Sequence, residues 1–203
     1  MHLTRNLFLV GLVLISASAK GAIDFTPTVT PYFSEGAEYA NVTFKDDKRG
    51  ISITLPRLWS CRGDSSHLKF TPPGQKFAEG VVQSVAAKGL IRFDEATVKS
   101  LEQQVLATLP PGSQGGVIVN QQENPVILYQ NLSYEFIVSY VTLGQTFQRS
   151  IIVVSCPDQQ LIFKFTAPKA VFGILNGAFR QSIYSWQWIE PAASSGAPLT
   201  ASK

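Results

Sequence analysis

Histidine, cysteine and methionine are nearly missing from this 203-residue chain, which has two His, two Cys and a single Met, the initiator. One histidine is His2 and the cysteines stand at 61 and 156, so no zinc finger, zincin helix or iron–sulfur ligand set can be assembled. No protein-built metal site and no cofactor are expected. Charge is scarce as well. Lys and Arg number 17 against 14 Asp and Glu, a net +3, and charged residues make up 15% of the chain, against a usual share of about a quarter. That leaves no basic field able to hold a phosphate backbone, so nucleic acid is not an expected partner. There is no Gly-x-Ser-x-Gly elbow, and Gly112 to Gly116 lacks the lysine and helix of a phosphate-cradling loop. Internal repeats are absent.

What is present begins with a leader. Met1 to Arg5 carries a charge, Leu7 to Ile15 is an apolar run, and Ser16-Ala17-Ser18-Ala19 supplies an Ala-x-Ala site. Together these describe a secretory signal peptide cleaved after Ala19. The apolar run falls well short of the roughly 20 residues a membrane span needs, and no cysteine follows the cleavage site to receive a lipid. An exported protein, periplasmic or extracellular, is therefore expected, with no transmembrane span in the mature chain. Cleavage removes Arg5, the methionine and His2, leaving His67 as the one histidine of a nearly neutral protein. Export also places Cys61 and Cys156 where disulfides persist, so the two are expected to pair. The alternatives are two buried thiols or a reactive Cys61 beside His67.

Four segments follow from composition: the signal peptide at 1–19, an extended lead-in at 20–40, one globular domain at 41–189 and a disordered tail at 190–203. The lead-in contains Thr26-Pro-Thr-Val-Thr-Pro31 and has no apolar period. The tail is Ala, Ser, Gly, Pro and Thr with only Leu199 to pack. Within the domain, Val42 and Phe44, then Ile51, Ile53 and Leu55, flank the turn Asp46 to Gly50 and predict a hairpin that Pro56 stops. Trp59 is placed to fold back over the sheet end. Strands are predicted at 67–71 and 80–87. Asp94 is a candidate N-cap for a helix whose Val98, Leu101, Val105 and Leu109 share a face, ended by Pro110-Pro111-Gly112. Four strand segments follow at 116–122, 126–141 with a bend near Asn131, 146–155 and 160–166.

The short links at Leu143-Gly144-Gln145 and Pro157-Asp158-Gln159 make these strands antiparallel. Apolar residues on both faces of the 134–141 segment imply a sheet covered on both sides. Pro168 then opens a second helix with a stripe of Phe172, Leu175, Phe179, Ile183 and Trp186. Gly173 and Gly177 are expected to let that helix lie close against the sheet. The predicted class is α+β: an antiparallel sheet with helices on both faces, an α/β/α sandwich.

The reactive inventory is small. Cys61, Ser65, Ser66 and His67 are the only nucleophile and base types lying close together, and neither spacing nor a third orienting group marks them as a site. Asp46-Asp47 suits a turn and Asp94-Glu95 a helix start. Arg62-Gly63-Asp64 matches the adhesion tripeptide and reads as a solvated turn. Asn41-Val42-Thr43 and Asn131-Leu132-Ser133 are glycosylation sequons, relevant only in a eukaryotic secretory pathway. Trp188 and Tyr184 are the best candidates for an exposed binding surface, whereas Trp59 and Trp186 are expected in the core.

Ile51-Ser-Ile-Thr-Leu-Pro56-Arg-Leu-Trp59 resembles the opening strand of PsbP-like proteins. Phe163-Lys-Phe-Thr-Ala-Pro168, followed by Phe172, Leu175, Phe179 and Ser182-Ile183, is similar to their closing strand and terminal helix. The resemblance spans about 45–188. It implies the α/β/α sandwich and a role in binding or scaffolding, and no catalytic, Ran-binding or photosystem-docking residue carries over. The leading expectation is an exported, non-enzymatic accessory protein that binds a protein or envelope component. The alternatives are a small thiol or serine hydrolase centred on Cys61, Ser66 and His67, and a carrier of a small apolar ligand held between helix and sheet.

Overall fold

The computed structural model describes residues 23–189 except Lys48. The signal segment and the tail lie outside the described residues. Two antiparallel sheets and two helices make an α+β fold. From edge to edge, the larger sheet runs β4 (Ser60–Gly63), β5 (His67–Thr71), β6 (Glu79–Ala86), β10 (Gln159–Pro168), β9 (Gln145–Ser155), β8 (Ser133–Thr142) and β7 (Gln114–Glu123). The smaller runs β1 (Asp24–Ser34), β2 (Ala37–Lys45), β3 (Gly50–Thr54) and β11 (Gln187–Ile189). Helix α1 (Glu95–Ala107) joins β6 to β7, and α2 (Lys169–Tyr184) joins β10 to β11.

Strand β9 shows how the layers are built. Its side chains alternate in direction, so Ile152 and Val154 enter one cluster and Ile151 and Val153 another. The first cluster is large. It joins Leu161, Phe163 and Phe165 of β10 to Phe172, Phe179 and Ile183 of α2, and to Val42, Phe44, Ile51 and Ile53 of the smaller sheet. The second holds Phe136 and Val138 of β8 against Val105, with Val98 and Leu101 of α1 packed alongside. Asp94 caps α1 as its position predicts, accepting the Thr97 N–H at 2.8 Å. Trp59 does fold back, its ring 5.9 Å from Phe165.

Two expectations are corrected and one is sharpened. Residues 24–34 of the lead-in form strand β1, with Ile23 and Phe25 buried; Pro27 and Pro31 are tolerated because β1 is an edge strand paired only with β2. The bend expected near Asn131 is a turn around a bridge between Leu128 and Asn131, so that β8 starts only at Ser133. Gly173 and Gly177 do not bring α2 to the sheet, since a Cβ on either would meet nothing within 4 Å. The close approach comes from the strand, where Gly80 of β6 lies under the Phe179 ring.

Beyond Asn41, β2 no longer pairs with β3, so the far halves of β1 and β2 project as a two-stranded arm. Glu35 and Gly36, both at positive φ, close it, and Tyr32 stacks on Tyr39 with centroids 5.6 Å apart. Under α2 the large sheet carries a buried charge. Glu135 of β8 is fully buried, accepts the Ser150 hydroxyl at 2.5 Å and pairs with Arg180 of α2. On the other face Arg149 is also buried, donating to Thr166 Oγ1 at 2.9 Å and to the Thr108 carbonyl at 2.7 Å. That last bond ties the C-terminus of α1 to the sheet.

Candidate functional site

Where α2 ends, two serines fasten the helix to the small sheet. Ser182 donates to the Thr54 carbonyl at 2.6 Å, and Ser185 Oγ accepts the Thr54 N–H at 2.7 Å. The chain leaves this anchor through Trp186, buried with its indole set edgewise against Phe44 and Phe163, and enters β11. Trp188 pairs with Ile51 of β3. Its ring lies edgewise to Trp186, 5.9 Å between centroids, and the Arg49 guanidinium sits 3.5 Å over its face. Arg49 is fixed in turn by Asp46, whose Oδ1 accepts the Arg49 N–H at 2.7 Å.

A third aromatic completes the group. Tyr129 Oη accepts the Trp188 N–H at 2.9 Å, with the two rings 6.2 Å apart. Tyr129 and Gln130 both have left-handed backbones, φ 50° and 66°, between Leu128 and Asn131. Asn131 holds the turn by donating its N–H and its side-chain amide to the Leu128 carbonyl, at 3.0 and 2.9 Å. Such a conformation suits glycine or asparagine and is costly for a tyrosine. Tyr184 donates to the Pro125 carbonyl at 2.8 Å, binding the same loop to α2. Tyr129, Tyr184, Ile127 and Ile189 are all exposed, while Trp188 is half-covered by Arg49. The expected surface at Trp188 and Tyr184 thus gains Tyr129 and Arg49, which sequence reasoning did not single out.

Cys61 and Cys156 are free, contrary to the expected bridge. Cys61 lies on β4 and Cys156 follows β9, with β5, β6 and β10 between them. Four inter-strand steps of about 4.8 Å far exceed the roughly 7 Å between Cα atoms that a disulfide spans. Burial pushes each thiol up to about 11, so neither is a ready nucleophile.

The Cys61, Ser66 and His67 centre is not assembled either. Cys61 stands opposite Phe70, which faces the core, whereas His67 is three residues from Phe70 and points to the other face. Ser66 and His67 instead form a turn on Asp64. Its Oδ1 accepts the Ser66 N–H at 2.7 Å, the Ser66 hydroxyl at 2.6 Å and the His67 N–H at 3.1 Å, and these bonds hold the Asp64 carboxyl down to about 2. His67 Nδ1 meets both Ser66 Oγ, at 2.9 Å, and Asp64 Oδ1, at 3.2 Å. A relay needs the base to present one nitrogen to the nucleophile and the other to its orienting group. Here a single nitrogen faces both. The same engagement occupies the aspartate of Arg62-Gly63-Asp64.

No family model and no curated protein matches this chain. Among solved structures it is similar to PA94 of Pseudomonas aeruginosa, a protein of unknown function, at 16% identity over 82% of this chain and 99% of that one, with a TM-score of 0.47. It is also similar to LpqN of Mycobacterium tuberculosis, described as involved in cell envelope biogenesis, at 17% identity over 80% and 91%, TM-score 0.49. A third is cyanobacterial PsbP (CyanoP) from Synechocystis sp. PCC 6803, at 10% identity over 79% and 92%, TM-score 0.47. Cyanobacterial PsbP, from the family that the sequence motifs resemble, is thus among the solved structures similar to this chain.

The carrier expectation placed a ligand between helix and sheet; under α2 that space is filled by Phe172, Phe179 and Ile183 packed on β10. Concavities lie at the arm's base and beside α1. One, of about 300 Å³, is lined by Tyr39, Leu55, Leu58 and Trp59 at the arm's base. The other, of about 520 Å³, lies between α1 and Gln160 of β10. Among the described residues no helix is long and apolar enough to cross a membrane.

Proposed function

We propose that this is an exported, non-enzymatic accessory protein that binds a protein partner through Tyr129, Tyr184 and Trp188. Export rests on the leader at Met1 to Ala19. The architecture in this reading is the α/β/α sandwich, supported by the split of β9 side chains between the α1 and α2 clusters. One observation carries the binding surface: Tyr129 is exposed and yet fixed at both ends, by its strained turn and by its bond to Trp188. Rigid aromatics lose little entropy on docking and supply much contact area. Strain in a non-glycine turn is the kind of cost a functional site retains.

Photocrosslinking tests the reading. Benzoylphenylalanine placed at Ile127 or Tyr184, and at Lys99 on α1 as a control, is irradiated in the native extracytoplasmic setting. A discrete adduct of one identified protein from positions 127 and 184, absent from 99, is the expected result. Equal adducts from all three positions, or none, overturn it.

A further inference from the structure

The ends of the strands sort the exposed apolar side chains. Ser60 pairs with Thr71, Glu79 with Thr166, and Thr142 with Gln145. The β3–β4 connection, the β5–β6 connection, the β8–β9 turn and the start of α2 therefore all open at the same end of the larger sheet. Leu58, Leu143 and Ile174 lie there, 77–87% exposed, with Phe77 half-exposed on the β5–β6 connection. Leu58 and Leu143 have left-handed backbones, φ 65° and 49°. A leucine is disfavoured in that conformation, so the chain is strained at both leucine tips of this end.

Cations accompany these tips. Arg57 precedes Leu58, Lys76 precedes Phe77 with its Nζ 5.7 Å over the ring, and Lys169 opens α2. Two residues in from this end, on the face that α1 leaves open, Arg62 pairs with Lys69, and Val81 of β6 pairs with both Lys69 and Lys164. Like charges directly opposite each other destabilise a sheet. Glu79 pairs with Lys69, and the arm adds Glu35 and Glu38. Arg57, Arg62, Lys69, Lys76, Lys164 and Lys169 still outnumber these carboxylates.

From this arrangement we infer that the β4-β6-β9 end of the larger sheet docks on an anionic lipid bilayer, its loop tips entering the interface and its basic row facing the headgroups. The occupant follows from how the apolar groups are dispersed. Leu58, Phe77 and Leu143 stand on separate connections, the first two directly after a cation, as suits interfacial insertion next to anionic lipid, whereas a protein pocket would call for one contiguous patch. Tyr184 lies at the far end of the 16-residue α2, roughly 20 Å away at 1.5 Å per residue. A docked chain would hold the aromatic surface clear of the membrane. The inference stands independently of that surface.

Vesicle sedimentation tests it. Both cores are built from residues 23–186, so the expected exported form, Lys20 to Lys203, carries them whole. It should sediment with vesicles of phosphatidylcholine mixed with phosphatidylglycerol, at least roughly tenfold more tightly at low salt than at high salt. Binding to phosphatidylcholine alone should be weak. The combined Leu58→Ser, Phe77→Ser and Leu143→Ser variant should bind roughly tenfold more weakly, and Arg57→Gln with Lys76→Gln should reduce the preference for anionic lipid. All five positions are exposed, so the fold should survive, as circular dichroism will show. No sedimentation with the anionic vesicles, or triple-variant binding equal to the parent's, overturns the inference. So does binding to soluble polyglutamate with none to vesicles, which would assign the face to an acidic protein.

Discussion

Phe179 of α2 lies over Gly80 of β6 so closely that a Cβ on the glycine would come within 2.6 Å of Phe179 Cε2. The ring is also stacked on Phe165 and edge-on to Phe70, so it has no room to retreat. Gly80→Ala should therefore destabilise the fold by about 1–3 kcal/mol, the usual cost of overpacking a filled core. Gly173→Ala and Gly177→Ala meet open space in the middle of the same helix and should be neutral or stabilising by up to about 1 kcal/mol. Urea melts of the three variants decide it, and equal effects at positions 80 and 173 would sink the account.

The pair between Glu135 and Arg180 makes a second prediction. Glu135 is fully buried on β8 and has Ser150 as its other partner. Arg180→Met strands that carboxylate in the core and should cost about 3–5 kcal/mol, the usual penalty for an uncompensated buried charge. Removing both charges, in Arg180→Met with Glu135→Leu, should recover much of the loss. A double variant no more stable than Arg180→Met alone would show that the pair, and not the stranded charge, sets the cost.

Periodic segments with their own punctuation were legible in the sequence. The β2–β3 hairpin, β5, β9, β10 and α1 with its Asp94 cap lie close to where alternation and capping place them. Strand β1 was not, because its prolines and threonines mask the burial of Ile23 and Phe25 at its start. Strands β4 and β11, four and three residues long, carry no period and exist only through their partners. The small sheet was therefore legible only as its β2–β3 hairpin, since β1 and β11 complete it. For the binding surface, Trp188 and Tyr184 could be named as aromatics beyond the helix stripe. Tyr129 could not, since Tyr129-Gln130 has none of the Asn or Gly chemistry that marks a left-handed turn. The disulfide expectation failed because compartment says where bridges persist, while strand order, unreadable from spacing, sets how far apart the thiols stand.

That left-handed turn supplies a third prediction. Gln130 has φ 66° and takes part in no bond that glycine would lose through its side chain. Gln130→Gly should stabilise the protein by up to about 1 kcal/mol, because relief of the left-handed backbone exceeds the added freedom of the unfolded chain. A lower urea midpoint for the variant would count against a strained turn at this position.

The free thiols give a prediction with a defined sign. Burial raises Cys61 and Cys156 from 9.0 to about 11, with Asp158 adding to the rise at Cys156. Unfolding returns both to the lower value, so between those limits the native chain holds protons that the unfolded chain has released. The stability this confers is complete below pH 9 and is lost as the pH climbs through 11. Lysines and tyrosines titrate in the same window, so the parent must be compared with Cys61→Ala/Cys156→Ala. The parent's urea midpoint should fall more steeply between pH 9 and pH 11 than the variant's, and parallel slopes would remove the thiols from the account. Thiol counting supplies the independent check. Without reductant, a disulfide reagent should react slowly with the folded exported form at neutral pH and should titrate two thiols once urea opens the core. Finding none in the unfolded protein would mean that the bridge forms, which strands β4 and β9 could accommodate only by leaving the sheet order described above.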